Sequence, residues 1–136
     1  MPTVKVPRLY TGDDGWSHWD EVDVDLSHLA PNGGVGASAD IVPTQGVIWR
    51  RMGSSDTPGE YHRAPAKQYV IVLSGSAEYG THDGEVRQFG PGGIFIVEDV
   101  TGNGHWARGT SAEPRISLHV PFADQNGTHP WGTPRA

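Results

Sequence analysis

Short segments of strand length, separated by glycine, proline and aspartate, run along most of this chain. Residues 21–26 alternate strictly between polar and apolar side chains, which is the pattern of a strand with one face in water. Residues 69–73 and 94–97 are continuous apolar runs, which predict buried strands. The Asp-Gly pair at residues 83–84 and the glycines of residues 90–93 supply turns between strands. This spacing predicts an all-β fold of the double-sheet jelly-roll type.

Further strands are predicted in the intervals between the turns, at residues 3–9, 39–42, 46–52, 76–81, 86–89 and 115–120. Residues 13–20 mix turn formers with two tryptophans, so we expect a loop whose rings pack on the barrel. Residues 27–37, which contain proline, asparagine and glycine, also predict a loop. We expect one domain, residues 1–122, and a polar tail, residues 123–136, that has little structure of its own.

Composition narrows the class of protein. The 136 residues are enough for one hydrophobic core, and 19 Gly and 11 Pro favour a fold rich in turns. A net charge of −6 argues against nucleic acid or an anionic membrane as partner, since both require a basic surface. The absence of cysteine excludes disulfides and thiolate catalysis. Because no apolar run is longer than residues 69–73, we expect neither a signal peptide nor a membrane span, and predict a soluble cytoplasmic protein.

Two stretches carry the candidate chemistry. The first, residues 60–75, is EYHRAPAKQYVIVLSG, and the second, residues 89–106, is FGPGGIFIVEDVTGNGHW. Alternate residues of an extended strand face the same side, so Glu60 and His62 are expected to project together into a polar pocket. The second stretch brings His105 to the same region from a Gly-rich loop.

The spacing of the first stretch resembles the first motif of the cupin superfamily. In that motif two histidines, one residue apart, are followed by a glutamate and then by a glycine. His62 stands at the first histidine and Ala64 at the second. Gln68 stands at the glutamate and Gly75 at the closing glycine, with the spacing preserved. Two residues of the family's motif are therefore altered in this chain.

The second stretch resembles the second cupin motif, in which a Pro-Gly turn leads through a strand and a loop to a histidine. Here these parts are residues 91–92, residues 94–97 and His105, with a loop longer than the family pattern. The resemblance covers residues 60–106 and implies the cupin double-stranded β-helix, a jelly-roll β-barrel. It also implies a homodimer, in which the strand at residues 3–9 pairs with the other subunit, and a divalent metal ion, which cupins hold with three histidines and one glutamate.

Four residues are the candidate metal ligands that this resemblance suggests, namely His62, His105, Glu60 and Gln68. Neutral imidazole binds Fe, Mn, Ni or Zn, and the sequence does not distinguish among these ions. Glu60 would supply a carboxylate, and Gln68 an amide oxygen that leaves the ion a stronger Lewis acid. The alternatives are two histidines that only satisfy hydrogen bonds, a Gln68 that orients His62 or a substrate, and an ordinary exposed Glu60.

Other residues are candidates for the pocket around this site. Trp49, Tyr79 and Trp106 are expected to form its walls, although core packing is the more frequent use of such rings. His119 alternates with apolar neighbours in the last strand and is a candidate third imidazole facing the pocket. The acidic pair at residues 98–99 is expected to hold the shape of the following Gly-rich loop by accepting backbone N–H bonds.

These residues predict a small metal-dependent enzyme that acts on a small organic molecule. Lyase, isomerase or cyclase chemistry is expected, in which the metal polarises an oxygen while Glu60 or His62 moves a proton. Without a metal, a carboxylate beside two imidazoles can still shuttle a proton. Two alternatives stay open: a metal-dependent dioxygenase, and a non-catalytic cupin module whose barrel binds a small molecule or is filled by its own side chains.

Overall fold

The chain folds into β-strands joined by turns and short loops. A computed structural model describes residues 3–29, 36–39 and 41–126, and these ranges contain no helix, and so none that could cross a bilayer. The strands are β1 (Thr3–Thr11), β2 (Ser17–Asp25), β3 (His28–Leu29), β4 (Ala37–Ser38), β5 (Ile48–Met52), β6 (Gln68–Ser74), β7 (Ala77–Gly80), β8 (Val86–Phe89), β9 (Ile94–Val97), β10 (Trp106–Gly109) and β11 (Arg115–Pro121). The predicted all-β class is confirmed. Most of the predicted tail, residues 127–136, lies outside the described residues.

Two main sheets organise these strands. Six strands form the larger sheet in the order β2-β1-β9-β6-β11-β5, and three form the smaller one in the order β10-β7-β8. Pairing within them is antiparallel except between β1 and β9, and β3 and β4 form a separate ribbon. The two-sheet arrangement is consistent with the predicted jelly roll. In the described part of the chain the strands do not close into a continuous barrel.

Buried side chains form two clusters, on opposite faces of the six-stranded sheet. The cluster between the two sheets contains Leu9, Trp19, Val70, Tyr79 and Phe95. Successive residues of a strand point to opposite faces, so Ile96, the next residue after Phe95 in β9, belongs to the other cluster. The remaining members of that second cluster are Val6, Val22 and Phe122. The larger sheet is therefore covered on both faces.

The first hairpin differs from the prediction. The sequence predicts a loop over residues 13–20, but β1 continues to Thr11 and β2 already begins at Ser17. The turn between them is closed by a hydrogen bond of 2.8 Å from the N–H of Gly12 to the carbonyl of Trp16. Ser17 and Trp19 are buried, and Trp19 pairs with Leu9. Burial against β1 therefore outweighs the turn-forming composition of this segment.

Three other boundaries differ from the predictions. Residues 39, 41 and 42, part of a predicted strand, have no strand structure, and Ile41 is 92 % exposed. The predicted loop at residues 27–37 contains β3 and the first residue of β4. Strand β10 was not predicted, because it has little apolar alternation and forms by pairing with β7.

The intersubunit pairing expected for β1 stays a prediction; within the chain, β1 pairs with all of β2 and with two residues of β9.

Leucine truncation tests the position of the core. Leu9 is fully buried between the sheets, whereas Leu73 at the end of β6 is 41 % exposed. Leu9→Ala leaves a cavity and is expected to lower the free energy of unfolding by about 2–5 kcal/mol. Leu73→Ala is the matched control and is expected to cost less than about 1 kcal/mol. Urea unfolding measures both values, and equal losses would contradict the described core.

Candidate functional site

A cavity of about 370 Å³ lies between the two sheets, which is a volume suited to a small organic molecule. Its apolar wall includes Met52, Ala64, Val70, Phe95 and Val97. Its polar lining is formed by Arg50, Arg51, His62, Gln68, Tyr79, His105, Arg115 and His119. No aspartate or glutamate of the described ranges is among the lining residues. The structure thus brings together five of the predicted site residues, namely His62, Gln68, Tyr79, His105 and His119.

The two motif histidines meet through their backbones. The N–H of His62 donates to the carbonyl of His105 at 2.8 Å, and the N–H of His105 donates to the carbonyl of His62 at 2.9 Å. The centroids of the two rings are 4.7 Å apart. Gly104 permits this approach, because it has a φ of +80° and a Cβ there would lie 1.9 Å from the carbonyl oxygen of His62. The Gly-rich loop therefore places His105 beside His62.

A buried carboxylate holds the side chain of His105. Its Nδ1 donates to Oδ2 of Asp99 at 2.5 Å, and the hydroxyl of Ser17 donates to the same oxygen at 2.6 Å. Asp99 and Ser17 have no exposed surface, and His105 is 5 % exposed. Because Nδ1 carries the donated hydrogen, the lone pair of Nε2 is left for the cavity, and Nε2 has no hydrogen-bond partner within the described ranges.

His62 is oriented by the backbone of Glu60. Its Nδ1 donates to the carbonyl oxygen of Glu60 at 3.1 Å, which leaves the lone pair of Nε2 available on this ring as well. The side chain of Glu60 is exposed and does not line the cavity. The carboxylate that the strand pattern predicts beside His62 is therefore not brought to the site, because residues 60–61 are not part of a regular strand.

The two tryptophans that were predicted to form walls of the pocket also lie outside the cavity. Trp49 is 68 % exposed, and it pairs with Leu118 on the outer side of β5 and β11. The ring of Trp106 packs over Gly80, where a Cβ would lie 2.0 Å from the indole. Neither tryptophan lines the cavity. Tyr79, by contrast, is 5 % exposed and forms part of the wall as expected.

The far end of the cavity is cationic. Arg115, at the start of β11, is 4 % exposed, and its Nη1 donates to the hydroxyl of Tyr79. Its Nε is buried without a hydrogen-bond partner in the described chain. Arg50 pairs with Ser117, which is fully buried, so Arg50 shares the inner face of β5 and β11 with Arg115. Arg51, the next residue of β5, also lines the cavity, so three arginines of the described chain belong to one end of the site.

Tyr79 connects this cationic end to the histidines. Its ring centroid lies 6.2 Å from that of His105, while its hydroxyl accepts the hydrogen bond from Arg115. Burial raises the pKa of the phenol, and the nearby Arg115 offsets that shift only in part. The hydroxyl therefore stays protonated at neutral pH and is available to donate to an oxygen of a ligand.

His119 is a buried, neutral imidazole in the same cavity. Burial lowers its pKa to about 4, and the charges of Arg115 and Arg50 act in the same direction. Its Nε2 is 2.9 Å from the hydroxyl of Ser117, and its Nδ1 has no hydrogen-bond partner in the described part of the chain. The expectation that His119 faces the pocket agrees with this position.

Sequence reasoning missed Ser17, Arg50 and Arg115, and it expected Asp99 only to shape a loop. Ser17 lies in the segment that was predicted to be a loop, so no signal connected it to the site. Arg115 did carry a signal, because it precedes His119 by four positions in a strand and must share its face. The side chain of Asp99 binds a histidine and a serine hydroxyl rather than the expected backbone N–H groups.

Comparison with known proteins adds no family: no family model matches this sequence, and no curated protein is significantly similar to it. Among the described residues, no group of three or more His, Cys, Asp or Glu side chains is placed to hold a metal ion. His62 and His105 each leave Nε2 available, and His119 lines the same cavity with an Nδ1 that has no partner in the described chain. With the amide oxygen of Gln68, the donor groups on the wall are three imidazoles and one amide.

The pH dependence of stability tests the burial of His119. In the folded chain its pKa is about 4 instead of the ordinary 6.5, so the unfolded chain binds one more proton between these values. The free energy of unfolding is therefore expected to rise as the pH increases from about 4 to about 6.5, by at most about 3 kcal/mol. Urea unfolding at several pH values measures this slope. His119→Gln should flatten it, and an unchanged slope in that variant would contradict the assignment.

Proposed function

We propose that this chain is a cupin-like enzyme that carries out proton-transfer chemistry of the lyase, isomerase or cyclase type on a small organic molecule. In this proposal the protein is a cytoplasmic homodimer, as expected from its sequence. The two cupin-like motifs and the two-sheet all-β fold support the family assignment. The cavity between the sheets, with its convergent polar groups, supports a small-molecule substrate.

The observation that carries the proposal is the buried pair formed by Asp99 and His105. Nδ1 of His105 donates to Asp99, which selects the tautomer with a lone pair on Nε2. Nε2 can then take a proton from a substrate carbon, and the carboxylate of Asp99 stabilises the resulting imidazolium. The imidazolium returns the proton to another atom of the substrate in an isomerisation, or to the leaving group in an elimination. Asp99 acts through His105 and is a positioning residue.

Two further side chains have roles in this mechanism. His62, whose ring centroid is 4.7 Å from that of His105, is a second acid or base on the same side of the cavity. The hydroxyl of Tyr79 can donate to an oxygen of the bound substrate and so help to orient it. The role expected for the carboxylate of Glu60 passes to His105, because Glu60 contacts His62 only through its backbone carbonyl.

Metal-dependent chemistry, including that of a dioxygenase, is the second candidate. It is favoured by the adjacent imidazoles of His62 and His105, and by the carboxylate on Nδ1 of His105, a partner that metal-binding histidines commonly have. Both histidines and the amide oxygen of Gln68 would hold an Fe, Mn, Ni or Zn ion, which would supply Lewis-acid or redox chemistry. The carboxylate of a two-His-one-carboxylate set has no counterpart on the cavity wall of the described chain.

Hydrogen exchange into substrate carbons tests proton transfer directly. Wild-type protein is incubated in D₂O with a panel of 2-oxo acids and other small organic acids, and loss of C–H signals is followed by ¹H NMR. We expect catalysed exchange on at least one compound, and a loss of about 100-fold or more in His105→Gln because the base is removed. His82→Gln, which changes an exposed histidine outside the cavity, is the control and should exchange at the wild-type rate.

Asp99→Asn tests the positioning role separately. An amide can accept or donate at Nδ1, so we expect the ¹⁵N chemical shifts of His105 to report a mixture of tautomers and the exchange rate to fall, while ligand affinity is retained. Exchange that is unaffected by His105→Gln would refute the proposed base. Ligand binding without any exchange would favour the non-catalytic binding module.

Elemental analysis tests the second candidate. The untagged protein is purified without added metal, and a second sample is incubated with Fe, Mn, Ni and Zn salts. Metal dependence requires near-stoichiometric metal that is lost in both His62→Ala and His105→Ala, and weaker retention in Gln68→Ala. Wild-type protein that binds none of the four metals would remove the metal-dependent candidate and leave metal-free proton transfer.

A further inference from the structure

We propose that the cationic end of the cavity binds the carboxylate of a small organic acid, through Arg115 and Arg50 with help from the hydroxyl of Tyr79. This inference rests on the proposed function, because it names the class of substrate on which His105 acts. It assigns the ligand's charge to one end of the cavity and the reacting carbon to the other.

Arg115 brings a positive charge into the wall of the cavity. No carboxylate of the described ranges lies within 4.0 Å of its guanidinium, although the residue is only 4 % exposed. Its hydrogen bond goes to the neutral hydroxyl of Tyr79. A buried charge is costly unless it is paired. An anionic ligand in the cavity would supply the missing partner.

Arg8 shows how another arginine of the same chain is paired. Arg8 is also shielded from solvent, but its guanidinium donates to both carboxylate oxygens of Asp20, at 2.8 and 2.7 Å, and to Glu98 at 2.9 Å. Arg8 lies outside the cavity and is fully paired. Arg115 lies on the cavity wall and has no acidic partner among the described residues. The arginine without an acidic partner is therefore the one that a ligand in the cavity can reach.

The electrostatic potential at the cationic end of the cavity also favours an anionic ligand. Arg50 shares the inner face of β5 and β11 with Arg115, and both cations lower the pKa of His119. The carboxylate of Asp99, which binds the lining residue His105, is itself fully buried behind that histidine. Since no acidic side chain of the described residues lines the cavity, the electrostatic potential at its cationic end is positive and favours an anion.

The apolar wall of the cavity fits the hydrocarbon part of an organic acid. Val70, Phe95 and Val97 form an apolar surface in a cavity of about 370 Å³, which suits the hydrocarbon body of an organic acid better than a sugar phosphate. A planar guanidinium matches a planar carboxylate. Tyr79 contacts Arg115 and is 6.2 Å, centroid to centroid, from His105, so a carboxylate at Arg115 leaves the adjacent carbons near the base.

Calorimetric titration with three probes tests the inference. Benzoate carries the expected carboxylate and an apolar body, benzamide is its neutral counterpart, and inorganic phosphate is an anion without an apolar body. We expect benzoate to bind wild-type protein at least about tenfold more tightly than benzamide or phosphate. Arg115→Gln should weaken benzoate binding by about 10- to 100-fold, and Arg50→Gln by a smaller factor because Arg50 is more exposed.

Two controls complete the experiment. Lys5→Gln removes the same charge from a half-exposed side chain outside the cavity and should leave benzoate binding unchanged. His82→Gln, which changes an exposed histidine outside the cavity, should also leave benzoate binding unchanged. If Arg115→Gln does not fold, Arg50→Gln and the comparison of benzoate with benzamide still decide the question.

Different results would overturn the anion site, the organic-acid assignment and the proposed function. Equal binding of benzoate and benzamide, or benzoate binding that neither arginine variant weakens, would overturn the anion site even if exchange is catalysed. Tighter binding of phosphate than of benzoate would overturn the organic-acid assignment and indicate a phosphorylated ligand. Arginine-dependent benzoate binding without catalysed exchange would support the anion site and refute the proposed function.

Discussion

Burial of the Asp99 carboxylate is the constraint on which the site depends. Buried polar atoms require hydrogen-bond partners, and Oδ2 of Asp99 accepts hydrogen bonds of 2.6 and 2.5 Å from Ser17 of β2 and from His105 of the Gly-rich loop. Oδ1 has no partner in the described part of the chain, so these two bonds hold the side chain. The backbone carbonyl of the same residue accepts the N–H of Ala64 at 3.0 Å, which ties the first motif to the second. One residue therefore joins the first hairpin, both motifs and the histidine that faces the cavity.

Much of the fold could be predicted from the sequence because its signals are local. Alternation in residues 21–26, the apolar runs at β6 and β9, and the Asp-Gly turn are each encoded by adjacent residues. His62 and His105 could be predicted as neighbours because each lies beside a core strand at a motif position. Their juxtaposition in the structure is maintained by backbone hydrogen bonds and by Gly104, a residue that the Gly-rich loop already supplied.

The rest of the site depends on pairing across the chain, which local patterns do not contain. Ser17 reaches Asp99 only because β2 begins earlier than its turn-rich composition indicates, and it does so by pairing with β1. Glu60 leaves the expected face because its segment is held by one bridge and is not a regular strand. Trp49 could have been assigned to the outer face if the register of β5 against β11 had been known.

Gln68 stands where the cupin motif that this sequence resembles has a glutamate, and the charges around it give a physical reason for a neutral side chain there. Gln68 is 3 % exposed and lines the cavity that also contains Arg50 and Arg115. A glutamate there would bring a negative charge into the cavity, where it would oppose an anionic ligand. A neutral amide keeps the hydrogen-bonding capacity without that charge. Gln68 is therefore compatible with the anionic ligand that we propose for this cavity, whereas a glutamate at the same position would weaken the binding of that ligand.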